Sequence, residues 1–298
     1  MAVSSTSSPI RASPQINIPS YLRLKLIELI MSGGKQASRG GKALSLKDEL
    51  NQLNRTLMME LVDAYKCENV RDLLAIVAKH MDYVAKSLEE LGYEVVFRGD
   101  MALMTRLAIN LRHPYTEPLE PGISWDPYWN LPYIPSSSLK GAIRAIAENT
   151  KSPCTKAFGD TEESSTIVIL DSYPTYCPSG KSLLTLDIIN PHYREVEGEI
   201  SEVESSPTPL TMLTVSTGVA FRVIVLVARN RLTTRCSKAS GNHVYVGKNC
   251  EEACTTDDLR NIVMQALRKG IGAKTALGYG AFGVIIHCLT RTCRSRQK

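Results

Sequence analysis

The chain has no apolar run long enough to span a bilayer. Its longest uninterrupted stretches are short, such as Val223–Ala228, whereas a spanning helix needs about 20 apolar residues. It also lacks the basic and apolar segments of a secretory signal: the N-terminus reads Met-Ala-Val-Ser-Ser-Thr-Ser-Ser-Pro, and the first charge is Arg11. A cytoplasmic protein without membrane contact is the expectation. Net charge is only +5, so bulk charge names no partner. Eight cysteines, at 67, 154, 177, 236, 250, 254, 288 and 293, are scattered too widely to read as a disulfide scaffold. In a reducing cytosol most are expected to be small buried hydrophobes, with disulfides expected only from a hyperthermophile. The composition does not point to wholesale disorder. Hydrophobic residues make up 43% of 298, with 19 glycines, enough for a core in one large domain or two ordinary ones.

The pattern along the chain divides it. Residues 1–18 are rich in Ser and Pro and read as a flexible tail. Helical spacing then dominates 19–96. Leu22, Leu26, Ile27 and Ile30 form one stripe and Leu50, Leu53, Leu57 and Leu61 a second. Val70, Leu74, Val77, Met81, Val84, Leu88 and Leu91 alternate steps of four and three up to Gly92. That last seam packs either on the rest of the chain or on another helical subunit. From 97 to 298 the signals mix. A half-buried strand is expected over Leu103–Leu111, with Arg106 on its open face. A helix is expected over 139–148 and strands near 168 and 185. Thr211–Val215 and a two-face-buried strand Val219–Ala228 follow. A polar insertion occupies about 229–256. A helix over 257–269 and a final strand at 284–289 close the chain.

Two segments carry anion-binding chemistry. Ser136-Ser137-Ser138-Leu139-Lys140 opens a helix whose stripe Leu139, Ala142, Ile143 and Ile146 is apolar, with Lys140 and Arg144 together beside it. Helix-start amides and two cations suit a phosphate. The plainer alternative is a serine-rich cap with ordinary surface charge. The second segment is Gly270-Ile-Gly-Ala-Lys-Thr-Ala-Leu-Gly-Tyr-Gly-Ala-Phe-Gly283. It is not a P-loop, because Ala273 stands before the Lys-Thr pair and a helix precedes it. It is not a dinucleotide loop, because Gly278, Gly280 and Gly283 lead into a strand. Glycines that admit close backbone approach, Lys274 for phosphate and Tyr279 for an unstacked base fit single-stranded nucleic acid. A purely structural glycine turn is the alternative. From Thr255 onward eight basic residues face two acids, which suits a polyanion.

In this order the two segments resemble the RAMP superfamily of CRISPR proteins. The added Asp187-Ile-Ile-Asn-Pro-His-Tyr193, with the helical lead-in, narrows the resemblance to the sixth RAMP subunit of type III-B (Cmr) RNA-guided complexes. Two positions depart from the family pattern: Ser136 and Asn110, each where glycine is usual. The resemblance implies an α+β fold: a ferredoxin-like (RRM-like) RAMP domain with an N-terminal helical extension. It also implies a non-catalytic, RNA-binding scaffold that caps a filament of RAMP subunits and holds the 3′ part of the guide RNA in antiviral defence. The implied partners are guide RNA and the target RNA paired to it, the repeated backbone RAMP subunit, the small helical subunit and another RAMP protein. Carried over by position, the RNA-binding residues are Ser137, Ser138, Lys140, Arg144, Gly270, Gly272, Lys274, Thr275, Gly278, Tyr279 and Gly280; Arg106, on the open face of the expected strand, is added to them. Contacts are expected to be electrostatic and stacking, because a spacer's sequence varies.

The competing reading is a RAMP-family endoribonuclease that processes precursor guide RNA. It would use His192 with Tyr193, or the carboxylates Asp171 and Asp187 around a metal. A turn histidine is the plainer account of His192, and no third acid joins the two aspartates convincingly. Glu117, Glu120 and Asp126, in the loop after the expected first strand, leave a vestigial site open. Cys236, His243, Cys250 and Cys254 offer one allowed zinc spacing, Cys250-x-x-x-Cys254, among irregular gaps. No metal and no cofactor are expected.

Overall fold

The computed structural model describes residues 10–32, 45–161, 164–189, 194–196, 199–201, 209–229, 243–246 and 253–285. Three helices come first: α1 (Ile18–Met31), α2 (Leu46–Ala64) and α3 (Cys67–Glu90). Short polar side chains start the first two. Asn17 accepts the Ser20 amide and Ser45 the Asp48 amide, each such cap stabilising by about 1 kcal/mol. Strands β1 (Tyr93–Leu103), β2 (Trp125–Asp126) and β3 (Leu131–Pro132) lead to α4 (Ser136–Asn149). Then come β4 (Ile167–Ile169), β5 (Pro174–Tyr176), β6 (Leu184–Ile189), β7 (Arg194–Val196), β8 (Glu199–Ser201), β9 (Leu210–Val215) and β10 (Ala220–Ala228). The chain continues through β11 (His243–Val246), β12 (Ala253–Thr255), α5 (Thr256–Lys269) and β13 (Phe282–Ile285).

The main sheet runs β13–β1–β10–β4, antiparallel throughout, with β5 continuing beside β10. Read in chain order, β1-α4-β4-β10-α5-β13 is the ferredoxin-like arrangement that the resemblance implies. Two strand expectations need correction. The first core strand is Tyr93–Leu103, not Leu103–Leu111. Glu94, Arg98 and Asp100 break its apolar pattern, and each is answered by charge elsewhere: Arg229, Asp82 and Arg222. The 97 boundary drawn from periodicity therefore falls inside β1. The third core strand is β10, not the segment near 185, which pairs with β9 as a separate ribbon.

Every residue of β10 is buried, as expected for a strand covered on both faces. Helix α3 packs on β1, β5 and β10, while α4 packs on β4 and α5 on β1. The α3 seam therefore serves the chain's own sheet rather than a second subunit. Val70, Leu74, Val77 and Met81 are buried, and the stripe then shifts to Ala85, leaving Leu91 exposed. A straight helix drifts against a seven-residue repeat, which accounts for the shift.

Within this core lies a charge cluster. Arg222 is only 6% exposed. Its guanidinium meets both oxygens of Asp100, at 2.8 and 2.7 Å, and reaches Asp82 of α3 at 2.6 Å and the Ala78 carbonyl at 3.1 Å. Four cysteines form two disulfides, Cys67–Cys177 and Cys154–Cys254, which corrects the reading of the described thiols as free hydrophobes. The partners are 110 and 100 residues apart, so only the fold brings them together. No described helix is long and apolar enough to cross a membrane. Residues 190–193, 230–242, 247–252 and 286–298 lie outside the described residues. His192, Tyr193, Cys236, Cys250, most of the polar insertion, the basic tail and the end of the last strand fall there.

Candidate nucleic-acid interface

Helix α4 sorts its side chains by size and polarity. Leu139, Ile143, Ile146 and Ala147 are buried, while Ser137, Gly141 and Ala145, four residues apart, are exposed. A row of small residues thus faces outward along one side. The start of the helix differs from the expectation. Pro135 holds the N-cap position and no side chain caps it; the Asp171 carboxylate accepts the Ser136 amide at 2.6 Å. A carboxylate of the chain itself already neutralises part of that end, so the serines are free for other work. Arg144 binds Glu148 at 2.7 Å and the Gly159 carbonyl at 3.2 Å. Lys140 is half-buried on the same flank. Both stand one step around the helix from the small-residue row.

Helix α5 ends where the glycine loop begins. Its capping box uses Thr255 with Asp258, and Gly270 ends it. The loop then zips onto the segment after β1. Ala281 accepts the Met104 amide at 2.8 Å, the Gly280 amide reaches the Arg106 carbonyl at 2.8 Å, and the Ala273 amide reaches the Ala108 carbonyl at 2.7 Å. Two glycines are dictated by this contact. A Cβ on Gly272 would lie 2.4 Å from the Ala108 oxygen, and one on Gly280 would lie 2.0 Å from the Ile271 oxygen. Their close backbone approach is to the chain itself. At Gly278 and at Gly141 of α4, by contrast, a Cβ would meet nothing within 4 Å.

Between α4 and this loop lies an open groove of about 930 Å³. Ser137, Ser138, Gly141 and Ala145 line one side, and Lys269, Gly270, Gly272 and Thr275 the other. Asn110 lines its end with φ of 46°. Asparagine is one of the few side chains that tolerate that conformation, so the turn forms without a glycine. A second hollow of about 360 Å³ shares Ile146, Asn149 and Lys269 and adds Arg268, extending the groove along the α4–α5 seam. Arg268, Lys269 and Lys274 are exposed, and none forms an ion pair among the described residues. Small walls, three hydroxyls and three cations match a sugar–phosphate backbone: there is room for it to lie close, and charge to hold it.

Beside the loop a second constellation forms. Asp187 of β6 receives Arg106 at 2.6 Å and the Tyr279 hydroxyl at 2.6 Å, both on Oδ2, while its Oδ1 accepts the Ile188 amide at 2.9 Å. Burial alone would raise the Asp187 pKa, but the hydrogen bonds from Tyr279 and Arg106 outweigh it and the carboxyl is held below its usual range. Burial and the bond to Asp187 push the Tyr279 hydroxyl up to about 12. The pair is charged carboxylate and neutral phenol across the physiological range.

The structure therefore brings Ser137, Ser138, Gly270, Gly272 and Thr275 to one groove and ties Arg106 and Tyr279 to one carboxylate. Gly278 lies exposed at the loop tip, Gly280 is buried in its base, and Lys140 and Arg144 flank α4. Asp171 and Asp187, weighed as metal ligands, are committed to a helix start and to the Arg106–Tyr279 pair. Among the described residues no group of three or more His, Cys, Asp or Glu could hold a metal ion. Cys254, from the zinc reading, is bonded to Cys154 instead. Sequence reasoning missed Gly141 and Ala145, whose only signal was their small size at four-residue spacing, and the role of Lys269.

Comparison with known proteins gives three findings. Residues 116–283 match the profile described as RAMPs, the RAMP superfamily. The protein described as CRISPR system CMR subunit Cmr6 from Saccharolobus solfataricus is 31% identical over 209 residues, which is 69% of this chain and 63% of that relative's length. A chain from the cryo-EM structure of the type III-B Cmr-beta bound to cognate target RNA superposes with a TM-score of 0.65 over 90% of both chains. At 23% identity this speaks for the fold.

Proposed function

The chain belongs to the RAMP superfamily, and on that premise we propose that it is a non-catalytic RNA-binding scaffold subunit of a type III-B, Cmr-type CRISPR complex. In this reading it holds the 3′ part of the guide RNA and caps the filament of RAMP subunits. The observation that carries it is the groove: hydroxyls and small residues of α4 face the glycine loop, with Lys269 and Lys274 beside it. It offers cations and backbone to any sequence and little to read a base with. The named relative of 31% identity supports the choice of complex. The scaffold role, rather than cleavage, is supported by the commitment of Asp171 and Asp187 to structural hydrogen bonds.

The test is a pull-down of the tagged protein from its own cells, with bound RNA sequenced and partners identified. Guide RNAs sharing a repeat-derived end, recovered with other RAMP subunits, are the expected result. Recovery of the protein alone, or cleavage of precursor guide RNA by the isolated chain, would overturn it. Within the recovered complex, Lys274→Ala should weaken RNA retention and lower the salt slope by about 0.7 for one lost phosphate contact on a single strand. An unchanged slope would remove Lys274 from the RNA path.

A further inference from the structure

Asp187 is an acid at the edge of a surface read here as RNA-binding, and on charge alone it should repel RNA. We propose the opposite: Asp187 is a positioning residue that increases RNA retention by holding Arg106 and Tyr279 in the orientation in which they meet the strand. The inference rests on the RNA-binding reading above and deepens it.

Three observations carry it. The carboxylate is itself fixed, because both of its oxygens accept bonds, Oδ2 from Arg106 and Tyr279 and Oδ1 from the Ile188 amide. Its side chain is 14% exposed and that of Arg106 is 46% exposed. The acid therefore sits behind while the guanidinium reaches outward. The pairing uses one terminal nitrogen of a group with five N–H donors, which leaves donors for a phosphate. Tyr279 is pinned at its hydroxyl end, and its neighbour Gly278 has no atom within 4 Å of where a Cβ would stand. The hydroxyl bond sets the direction of the ring axis in advance, and pre-set groups lose less freedom on binding. Asp187 also belongs to the β6–β9 ribbon, so the contact ties that ribbon to the glycine loop.

The sign of one substitution tests the idea. The tagged protein is recovered from its own cells with its RNA, and the salt concentration that elutes half of the RNA is measured. Asp187→Ala should lower it, corresponding to roughly 5- to 20-fold weaker binding at fixed salt. Asp187→Asn, which keeps an acceptor for Tyr279 but loses the charge, should fall between. In an Arg106→Ala/Tyr279→Phe background, Asp187→Ala should cost nothing more, an outcome that a merely structural role would not give. Tighter or unchanged retention in both single variants overturns the positioning role, since a latch displaced by phosphate or a simple repulsive charge predicts that result. It would leave the RNA-binding reading intact. A wild-type protein that carries no RNA would overturn that reading itself.

Discussion

Replacing Arg222 by alanine should cost the fold about 3–5 kcal/mol, the range for removing one partner of a buried ion pair. The size follows from what remains. Arg222 and Asp100 are 6% and 7% exposed, and the guanidinium supplies bonds to both Asp100 oxygens. Without it, Asp100 keeps the Thr175 hydroxyl at 2.9 Å but loses both charge-assisted bonds, a heavy loss for a buried carboxylate. Asp82 is less dependent: it is 37% exposed and also pairs with Arg98. The costs should therefore rank Arg222→Ala and Asp100→Ala first, Asp82→Ala at about 1 kcal/mol, and Arg98→Ala near zero. In thermal melts the first two should lose roughly 6–20 °C. The double variant Arg222→Met/Asp100→Leu should recover much of that, because an apolar pair carries no desolvation penalty. An Arg222→Ala protein within about 1 kcal/mol of wild type in urea titration would refute the claim that this cluster fastens α3 to the sheet.

Other expectations can be checked in the same preparations. Gly141→Leu should raise helix propensity by up to about 1 kcal/mol while filling the groove, so urea stability should hold or rise as RNA retention falls; retained RNA would clear the groove of that role. Reduction of the disulfides, which join residues 110 and 100 apart, should destabilise by up to about 4–5 kcal/mol each on chain-entropy grounds. Melts with and without dithiothreitol measure this, and equal curves would show that the bonds contribute nothing. Burial lowers the His113 pKa, so below about pH 6.5 the unfolded chain takes up a proton that the folded one refuses. Stability should drop as pH falls from there toward the folded pKa, and His113→Phe should flatten that slope. An equally steep slope in the variant would show another group to be responsible.

What could be read in advance follows physical locality. Helices α3, α4 and α5 were legible because periodicity and stop signals are local, and β10 because a strand buried on both faces is nearly all apolar. Strand β1 was not: its charges broke the apolar pattern, and two of their partners, Arg222 and Arg229, lie 122 and 135 residues away in the chain. Arg222 was visible as a charge inside an apolar run, but what it meets was not. The disulfides were hidden for the same reason. In the candidate site, the glycine loop and α4 were found as two motifs. That Gly272 and Gly280 are spent on the chain's own backbone needed the coordinates, as did the pairing of Arg106 with Tyr279 through Asp187.

The five residues after Met104 hold more attachments than their irregular shape suggests. Leu107 exchanges both backbone bonds with Val215 at the end of β9, Arg106 and Ala108 receive the glycine loop, and Ile109 accepts the Ser124 amide. This stretch works like the binding of a book: separate leaves are stitched to one short edge. The consequence concerns tolerance to change in length. An added or lost residue near the exposed Pro114, Tyr115 and Glu117, in the loop between β1 and β2, can be taken up locally. One inside 105–109 would shift every stitch at once, so variation in chain length should collect on one side of Asn110 and stop at the other.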